Sequence, residues 1–329
     1  METLSTIQRA VLPGDWLASI DLKDAYFHVP VATDFHKYLR FCVQNQHLQF
    51  ICLPFGLSTS PRVFTKVLLA VVAFIRLKGI RLHHYLDDLL LLSQEKDQLL
   101  AHRDQVISTL KEFGWLLNLQ KSQLEPTQRL VYLGAQFDTV ENSISLPLEK
   151  IPVVRERILP ALSSPRLKAS QCLKIIGTMV STAPMVKWAL WHMRPFQKGF
   201  LQQWNTEEKD QYIHISSSMR YSLLWWLQRR NLLNCHSLVP VSWTIITTDA
   251  SNSGWGAHCL TEMTQGRWSF QRHTPVSNIL ELRAAYQGLR SFQHLLEGKS
   301  VMIRMDNTTA VSYVKRQGGT RSLSLCYEN

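Results

Sequence analysis

The sequence is 329 residues long, 45% hydrophobic and 19% charged, a balance that leaves room for two or three packed domains and excludes an intrinsically disordered chain. The opening METLSTIQRAVLPGDW lacks the apolar stretch of a secretory signal, and the longest uninterrupted apolar run, residues 67–75, is too short to cross a bilayer; we expect an intracellular protein of the cytoplasm or nucleus, neither secreted nor held in a membrane. The formal charge of +11 is unevenly placed, with 15 Lys/Arg against 15 Asp/Glu in residues 1–150, 12 against 4 in 151–240 and 9 against 6 in 241–329, and a basic middle suits a surface that follows a phosphate backbone as readily as a merely soluble basic protein.

Along residues 1–150, short apolar stretches such as Trp16–Ile20 and His83–Leu92 alternate with helical patterns such as Val63–Arg76 and Leu99–Phe113. That order predicts an α+β domain on a mainly antiparallel sheet. From Pro152 to Leu233 the pattern is helical, most clearly over Arg220–Leu233, and Ser237–Ser242 reads as a linker. Strands are expected in SWTIITTDA, Gly254–Leu260 and Gly266–Phe270. A helix follows over Ile279–Leu296, with Ile279, Leu282, Tyr286, Leu289, Phe292 and Leu296 on one face. Ser300–Met305 predicts a further strand and Thr308–Lys315 the start of a helix, a β-β-β-α-β-α order that stops early. Six cysteines, at 42, 52, 172, 235, 259 and 326, form no CxxC pair and no zinc-spaced cluster, so free thiols are expected.

Three segments carry carboxylates in a pattern that asks for chemistry. SIDLKDAYFHV places Asp21 and Asp24 after a short strand; LPFGLSTSPRVF shapes a loop with Pro54, Gly56 and Pro61 ahead of a helix; HHYLDDLLLL interrupts an apolar run with Asp87 and Asp88 where a hairpin would turn. Two metal ions roughly 3.5–4 Å apart, held by acids from adjacent strands, would serve phosphoryl transfer. Each piece also has a plain reading: YLDD as turn chemistry, Asp21 and Asp24 as helix caps, LPFG as a loop.

Taken together, DLKDAYF, LPFGLSTSP and YLDD resemble motifs A, B and C of reverse transcriptases. GWLLNLQKSQL (114–124) is similar to motif D, LVYLGAQFD (130–138) to the primer-grip strands, and HKYLRF (36–41) to the returning fingers strand. The resemblance spans residues 15–140. It implies that Asp21 and Asp87 are metal ligands, with Asp88 the second carboxylate of the turn. It further implies that Tyr26 is a steric gate against a 2′-hydroxyl, that Phe55 and Gly56 line the nucleotide pocket, and that Lys121 is an acid toward the leaving pyrophosphate. The chain departs from the family ahead of motif A: 20 residues precede Asp21, and Arg9 is the one basic residue among them. Grip on a triphosphate is therefore expected to be weak in this chain alone.

A second constellation lies in TTDASNSGWGAH, NILELRAAYQGL and VMIRMDNTTAV, which set Asp249 at a strand end, Glu281 near a helix start and Asp306 at a later strand end. Asn278-x-x-Glu281 also reads as a capping box. The TDAS, ELRA and MDN tokens resemble the type I RNase H domain, which implies that Asp249, Glu281 and Asp306 bind metal for hydrolysis of a phosphodiester. The family's fourth carboxylate is expected downstream of Asn329.

The expectation is thus a reverse transcriptase palm with partial fingers (1–150), a basic helical thumb or connection (151–240) and a truncated RNase H-like α/β domain (241–329). The resemblance implies Mg²⁺ or Mn²⁺, two per site. It also implies an RNA template, a DNA primer, an RNA–DNA hybrid and deoxynucleoside triphosphates as substrates and partners, with no membrane and no stated oligomeric state. The combination is most similar to DIRS-type retrotransposons, relatives of gypsy-type and retroviral polymerases. The alternative is a non-enzymatic remnant of such an element that at most binds nucleic acid.

Overall fold

The computed structural model describes residues 2–206, 208, 210–238, 242–269 and 277–318. They fall into two compact units, Met1–Pro147 with Cys235–Val239, and Leu148–Asn234 with Pro240–Asn329.

In the first unit, α1 (Leu4–Ala10) leads to β1 (Trp16–Asp21), then β2 (Arg40–Val43), β3 (Gln46–Gln49), α2 (Ser60–Leu77), β4 (Arg81–Tyr85), β5 (Asp88–Ser93) and α3 (Lys96–Glu112). The main sheet has the order β4-β5-β1-β6, with β6 at Gln123–Thr127, and every pair is antiparallel as expected. Helices α2 and α3 cover one face. Phe64, Leu68, Val72 and Ile75 from α2 and Leu99, Val106 and Leu110 from α3 bury against Ala18, Ile20, Leu82, Leu89 and Leu91. Every residue of β5 after Asp88 is buried, which is why LLLL reads as a continuous run rather than an alternation. A second sheet, β12-β9-β8-β7, joins β7 (Arg129–Tyr132), β8 (Ala135–Asp138) and β9 (Ser143–Ser145) to β12 (His236–Ser237). HKYLRF forms a strand only from Arg40; residues 33–39 wind into a 3₁₀ helix, in which the His36 ring is hydrogen-bonded to the Val31 carbonyl at 2.7 Å.

The start of β1 is fixed by a buried ion pair. Asp15 has no solvent exposure; its carboxylate accepts from Arg81 at 2.7 and 2.8 Å, from the Leu12 N–H at 2.8 Å and from the Gln94 amide. Thr139 Oγ1 donates to the Asp15 carbonyl at 2.6 Å.

The second unit is helical in its first part: α4 (Lys150–Ser163), β10 (Arg166–Lys168), α5 (Ala169–Thr182), α6 (Ala189–Leu201), β11 (Tyr212–His214), α7 (Ser217–Leu227) and α8 (Arg229–Leu232). The helix expected over 220–233 starts earlier, because Ser216 Oγ caps it through the Met219 N–H, and breaks at Gln228, whose backbone is extended. The unit's sheet has the order β15-β14-β13-β16, formed by β13 (Trp243–Ala250), β14 (Gly254–Cys259), β15 (Glu262–Arg267) and β16 (Ser300–Arg304). The β13–β16 pair is parallel and the others antiparallel. Part of the linker (239–241), the end of the expected strand 266–270 and Cys326 lie outside the described residues; the five described cysteines are free thiols.

The helix expected over 279–296 divides into α9 (Ser277–Ser291) and α10 (Gln293–Leu296), ahead of α11 (Thr308–Arg316). Its face is also rotated from the expected one. Tyr286 is 55% exposed, while Leu280, Ala284, Ala285 and Gly288 are buried. The cause is close approach to the sheet: a Cβ on Gly288 would lie 2.8 Å from Ala257 Cβ, 3.1 Å from Ile246 Cδ1 and 3.2 Å from Thr248 Cγ2. Gly288→Ala should therefore destabilise the chain in denaturant unfolding. Overpacking costs about 1–3 kcal/mol, which exceeds the roughly 1 kcal/mol that Ala gains over Gly in a helix. A higher unfolding midpoint for the alanine variant would contradict this packing.

Candidate functional site

The first cluster is built by the end of β1 and the β4–β5 hairpin. Asp21 and Asp88 are direct cross-strand partners, as are Tyr85 and Asp88, so the hairpin turn is the two-residue connection Leu86–Asp87. Leu86 holds φ at +52°, left-handed backbone that costs a leucine roughly 1–2 kcal/mol. The turn is tied down by its neighbours: the Leu22 N–H donates to the Asp87 carbonyl at 3.0 Å, and the buried Tyr132 hydroxyl donates to the Asp88 carbonyl at 2.8 Å.

The Asp88 carboxyl is pushed up to about 6, first by burial, then by the charges of Asp87 and Asp21 and a side-chain hydrogen bond to Asp21, with Lys121 opposing. Asp87 is also raised, by burial and then by Asp21, against a backbone hydrogen bond and Lys121. Three acids and one lysine thus feel one another at a single place. Lys121 arrives there because its loop is pinned to β1. The Asn118 N–H donates to the Asp21 carbonyl at 2.8 Å, the Asp21 N–H donates to Ser122 Oγ at 3.0 Å, and Ser122 Oγ donates to the Asn118 carbonyl at 2.7 Å.

Of the expected nucleotide-pocket residues, Tyr26 feels the charge of Asp87, and Phe55 packs on Tyr26. Tyr26 lies in a 3₁₀ turn after Asp24; its ring is 4.8 Å from that of Phe55 and 5.5 Å from that of Phe64. Burial, then the charge of Asp87, raises its hydroxyl pKa. Phe55 is 60% exposed, and Gly56 sits at φ +90°, a conformation that suits glycine. Ser60 Oγ holds this loop by donating to the Pro54 carbonyl at 2.9 Å. Asp24 is exposed, with left-handed backbone.

The second cluster is tighter. One ligand oxygen each from Asp249, Glu281 and Asp306 lies within 4.8 Å of the others, the one such group of three among the described residues. Asp249 ends β13, Glu281 lies on α9, and Asp306 follows β16, the parallel neighbour of β13. Glu281 is 4% exposed, and its Oε2 has no hydrogen-bond partner. Burial raises its pKa first, then Asp306 and Asp249, against a hydrogen bond from the Ala250 backbone. The capping-box alternative is set aside. Asn278 lies inside α9, and its Oδ1 accepts from Asn307 Nδ2 at 2.7 Å, while Asn307 Oδ1 caps α11.

Ser122, Tyr132, Asn278 and Asn307 support these clusters. All four stand inside quoted motifs, but of them only Asn278 carried a reading of its own, as a helix cap.

Residues 5–137 match the family described as reverse transcriptase (RNA-dependent DNA polymerase). Among curated proteins, the chain is 37% identical over 135 residues to the Gag-Pol polyprotein of Avian leukosis virus subgroup A, covering 38% of this chain and 8% of that protein. It is 22% identical over 302 residues to the genome polyprotein of Petunia vein clearing virus, covering 88% of this chain and 13% of that protein. The putative enzymatic polyprotein of Cassava vein mosaic virus is 21% identical over 339 residues, covering 97% of this chain and 49% of that protein. The chain therefore spans a minor part of these relatives. Solved structures of the foamy viral protease-reverse transcriptase share the fold. One in complex with double-stranded DNA has a TM-score of 0.62 at 16% identity, covering 99% of this chain and 56% of that one; another, with an RNA/DNA hybrid, has a TM-score of 0.61 at 15% identity, covering 99% and 43%.

Proposed function

We propose, on the premise that residues 5–137 form a reverse transcriptase domain, that the chain carries out RNA-directed DNA synthesis at Asp21, Asp87 and Asp88 and cleaves the RNA strand of hybrids at Asp249, Glu281 and Asp306. The observation that carries the reading is the meeting of Asp21, Asp87, Asp88 and Lys121 at one place, from segments a hundred residues apart. Both donor sets are all-carboxylate, which fits hard cations such as Mg²⁺ or Mn²⁺, and the unpartnered Oε2 of Glu281 fits a ligand position. Two such cations, when bound, would lower the pKa of the attacking oxygen and offset charge on the leaving group.

The residues of the chain then have separate tasks. Asp21, Asp87 and Asp88 hold the cations at the primer end, Lys121 opposes the negative charge gathering there, and Phe55 and Gly56 bound the deoxynucleoside triphosphate. Residues 151–240 act as the basic connection that tracks a primer–template or hybrid. The subclass we favour is DIRS-type; flanking genomic DNA that continues in frame and encodes a tyrosine recombinase would bear it out. Primer extension on an RNA template with purified protein and Mg²⁺ or Mn²⁺ tests the main reading. Duplex binding without extension or hybrid cleavage would leave the non-enzymatic remnant in its place. Among the described residues no helix is long and apolar enough to cross a membrane.

Two expectations follow from individual groups. Tyr26→Ala should raise ribonucleotide incorporation relative to deoxyribonucleotide, read by single-nucleotide extension, because the ring beside Phe55 and Asp87 no longer fills the space of a 2′-hydroxyl. Unchanged discrimination in a folded variant would remove the gate. Hybrid affinity should fall steeply with salt, since each phosphate neutralised adds about 0.9 to the slope of log K against log salt. The exposed Arg166, Lys168, Lys174, Arg229 and Arg230 are the candidate contacts, and a flat titration would count against them.

A further inference from the structure

The charge of the second unit is concentrated in a particular way. No Asp or Glu occurs between Glu156 and Glu207 or between Asp210 and Asp249, so α5, α6, α7 and α8 carry no carboxylate. One end of this helical layer also exposes large aromatic surface. Trp188 and Trp191, at the first turn of α6, are 60% and 50% exposed. Trp188 holds φ at +65°, backbone that is costly for a bulky side chain and is kept here for an indole that gains little burial. The His192 N–H donates to the Trp188 carbonyl at 3.0 Å, and the Ala189 N–H to that of Val186 at 3.3 Å, so the strained residue is locked in place.

Several elements converge on this corner. The His192 ring stacks on Trp225 at 4.1 Å and 9°, which joins the start of α6 to the end of α7. The Lys187 N–H donates to the Asn234 carbonyl at 2.9 Å, bringing α8 with Arg229 and Arg230 alongside. The Trp191 N–H donates to Gln317 Oε1 at 2.9 Å, and the Arg194 guanidinium donates to the carbonyls of Gln317 and Arg316. The last turn of α11 thereby adds Lys315 and Arg316, both exposed. Five further cations, Lys187, Arg229, Arg230, Lys315 and Arg316, stand in the segments that carry the two indoles or adjoin them, and no acid occurs in residues 183–205, 211–248 or 307–318.

We propose that this corner is a stacking platform for unpaired bases of a single-stranded nucleic acid, with the surrounding lysines and arginines holding its phosphates. The inference rests on the nucleic-acid reading above and deepens it. Cations alone would suit any polyanion, duplex included. Exposed indoles discriminate, because a base can stack on an aromatic ring only when its face is free, and a duplex interior hides those faces. The charge also selects the partner's sign: a surface with this many cations and no carboxylate repels a basic protein and attracts a strand with one negative charge per nucleotide.

The test compares the full chain with Trp188→Ala/Trp191→Ala and with Trp188→Phe/Trp191→Phe, by fluorescence anisotropy. The probes are a labelled oligothymidylate, an abasic strand of equal length and a blunt RNA–DNA hybrid. Loss of stacking should weaken oligothymidylate binding about tenfold or more in the alanine variant, leave the abasic strand and the hybrid within about twofold, and be largely restored by phenylalanine. Equal weakening on all three probes, or none on oligothymidylate, overturns the platform. So does a chain that elutes as a dimer and becomes monomeric in the alanine variant with unchanged affinity, which would make the corner a self-association surface. If the parent binds the hybrid with a steep salt dependence but shows no tryptophan effect, only the platform falls. If it binds none of the probes, the nucleic-acid reading falls with it.

Discussion

Asp87→Asn is expected to abolish DNA synthesis in primer extension while leaving the fold and hybrid binding intact. The amide keeps the shape of the turn residue and removes the charge, so the loss should be at least roughly a hundredfold to a thousandfold, the scale seen when a preorganised electrostatic group is taken from a transition state. Stability should move the other way. Asp87 and Asp88 are both harder to ionise than free aspartate, because of burial and then their acidic neighbours. A carboxyl whose pKa is raised in the folded state favours folding below its unfolded pKa and loses that contribution as pH rises through the folded one. For Asp88 the window runs from 3.8 to about 6. Unfolding in metal-free buffer at neutral pH should therefore show Asp87→Asn and Asp88→Asn to be at least as stable as the parent. An Asp87→Asn protein that still extends primers would remove the cluster from catalysis, and one that is inactive because it unfolds would leave the charge argument without support.

Asp21, Asp87, Asp249 and Asp306 were legible in the sequence because they repeat a local grammar, a strand with a carboxylate at its end or in its turn, and Glu281 because it stands near the start of a periodic helix. The apolar run of β5 and the periodicity of α2 and α3 placed the sheet and its covering helices to within a few residues. What the sequence hid is contact between distant segments. Nothing in NLQKSQ announces that Asn118 and Ser122 bind the backbone of Asp21, and nothing in NILE says that Asn278 faces Asn307 rather than capping its own helix. The rotated face of α9 was hidden for a related reason. Gly288 carries no hydropathy, yet its missing side chain lets the helix approach Ala257 and Ile246, and that approach, not the leucine pattern, turns Tyr286 outward. Trp188 and Trp191 lie in the stretch that reads as helical, and their exposure is a feature of the tertiary structure.

Asp15 belongs to none of the motifs legible in the sequence, and the largest stability effect is expected at its ion pair with Arg81. Asp15→Ala should destabilise the first unit by about 3–5 kcal/mol, the cost of breaking a buried ion pair by removing one partner, a large part of the 5–15 kcal/mol that holds a typical domain. The carboxylate is fully buried, whereas Arg81 is 35% exposed. Loss of Asp15 therefore leaves an arginine that can still reach water, the Leu12 N–H without this acceptor, and the Gln94 amide to the Pro13 carbonyl at 3.5 Å. Arg81→Ala leaves the buried carboxylate without its cation and should cost at least as much. The pair also has a bearing on activity. Asp15 precedes β1 and Asp21 ends it, six residues apart along one strand. Arg81 opens β4, which closes on Asp88 through the Tyr85 pairing. The ion pair thus anchors, at one end of the sheet, the two strands whose other ends carry the acids. A slip of one residue in β1 would turn Asp21 to the opposite face of the sheet, away from Asp88. Chemical denaturation of Asp15→Ala and Arg81→Ala, followed by tryptophan fluorescence, would read the stability loss, and primer extension well below the unfolding midpoint would read the register. Unfolding free energies within about 1 kcal/mol of the parent for both variants would show that the pair, for all its burial, contributes no more than a surface contact.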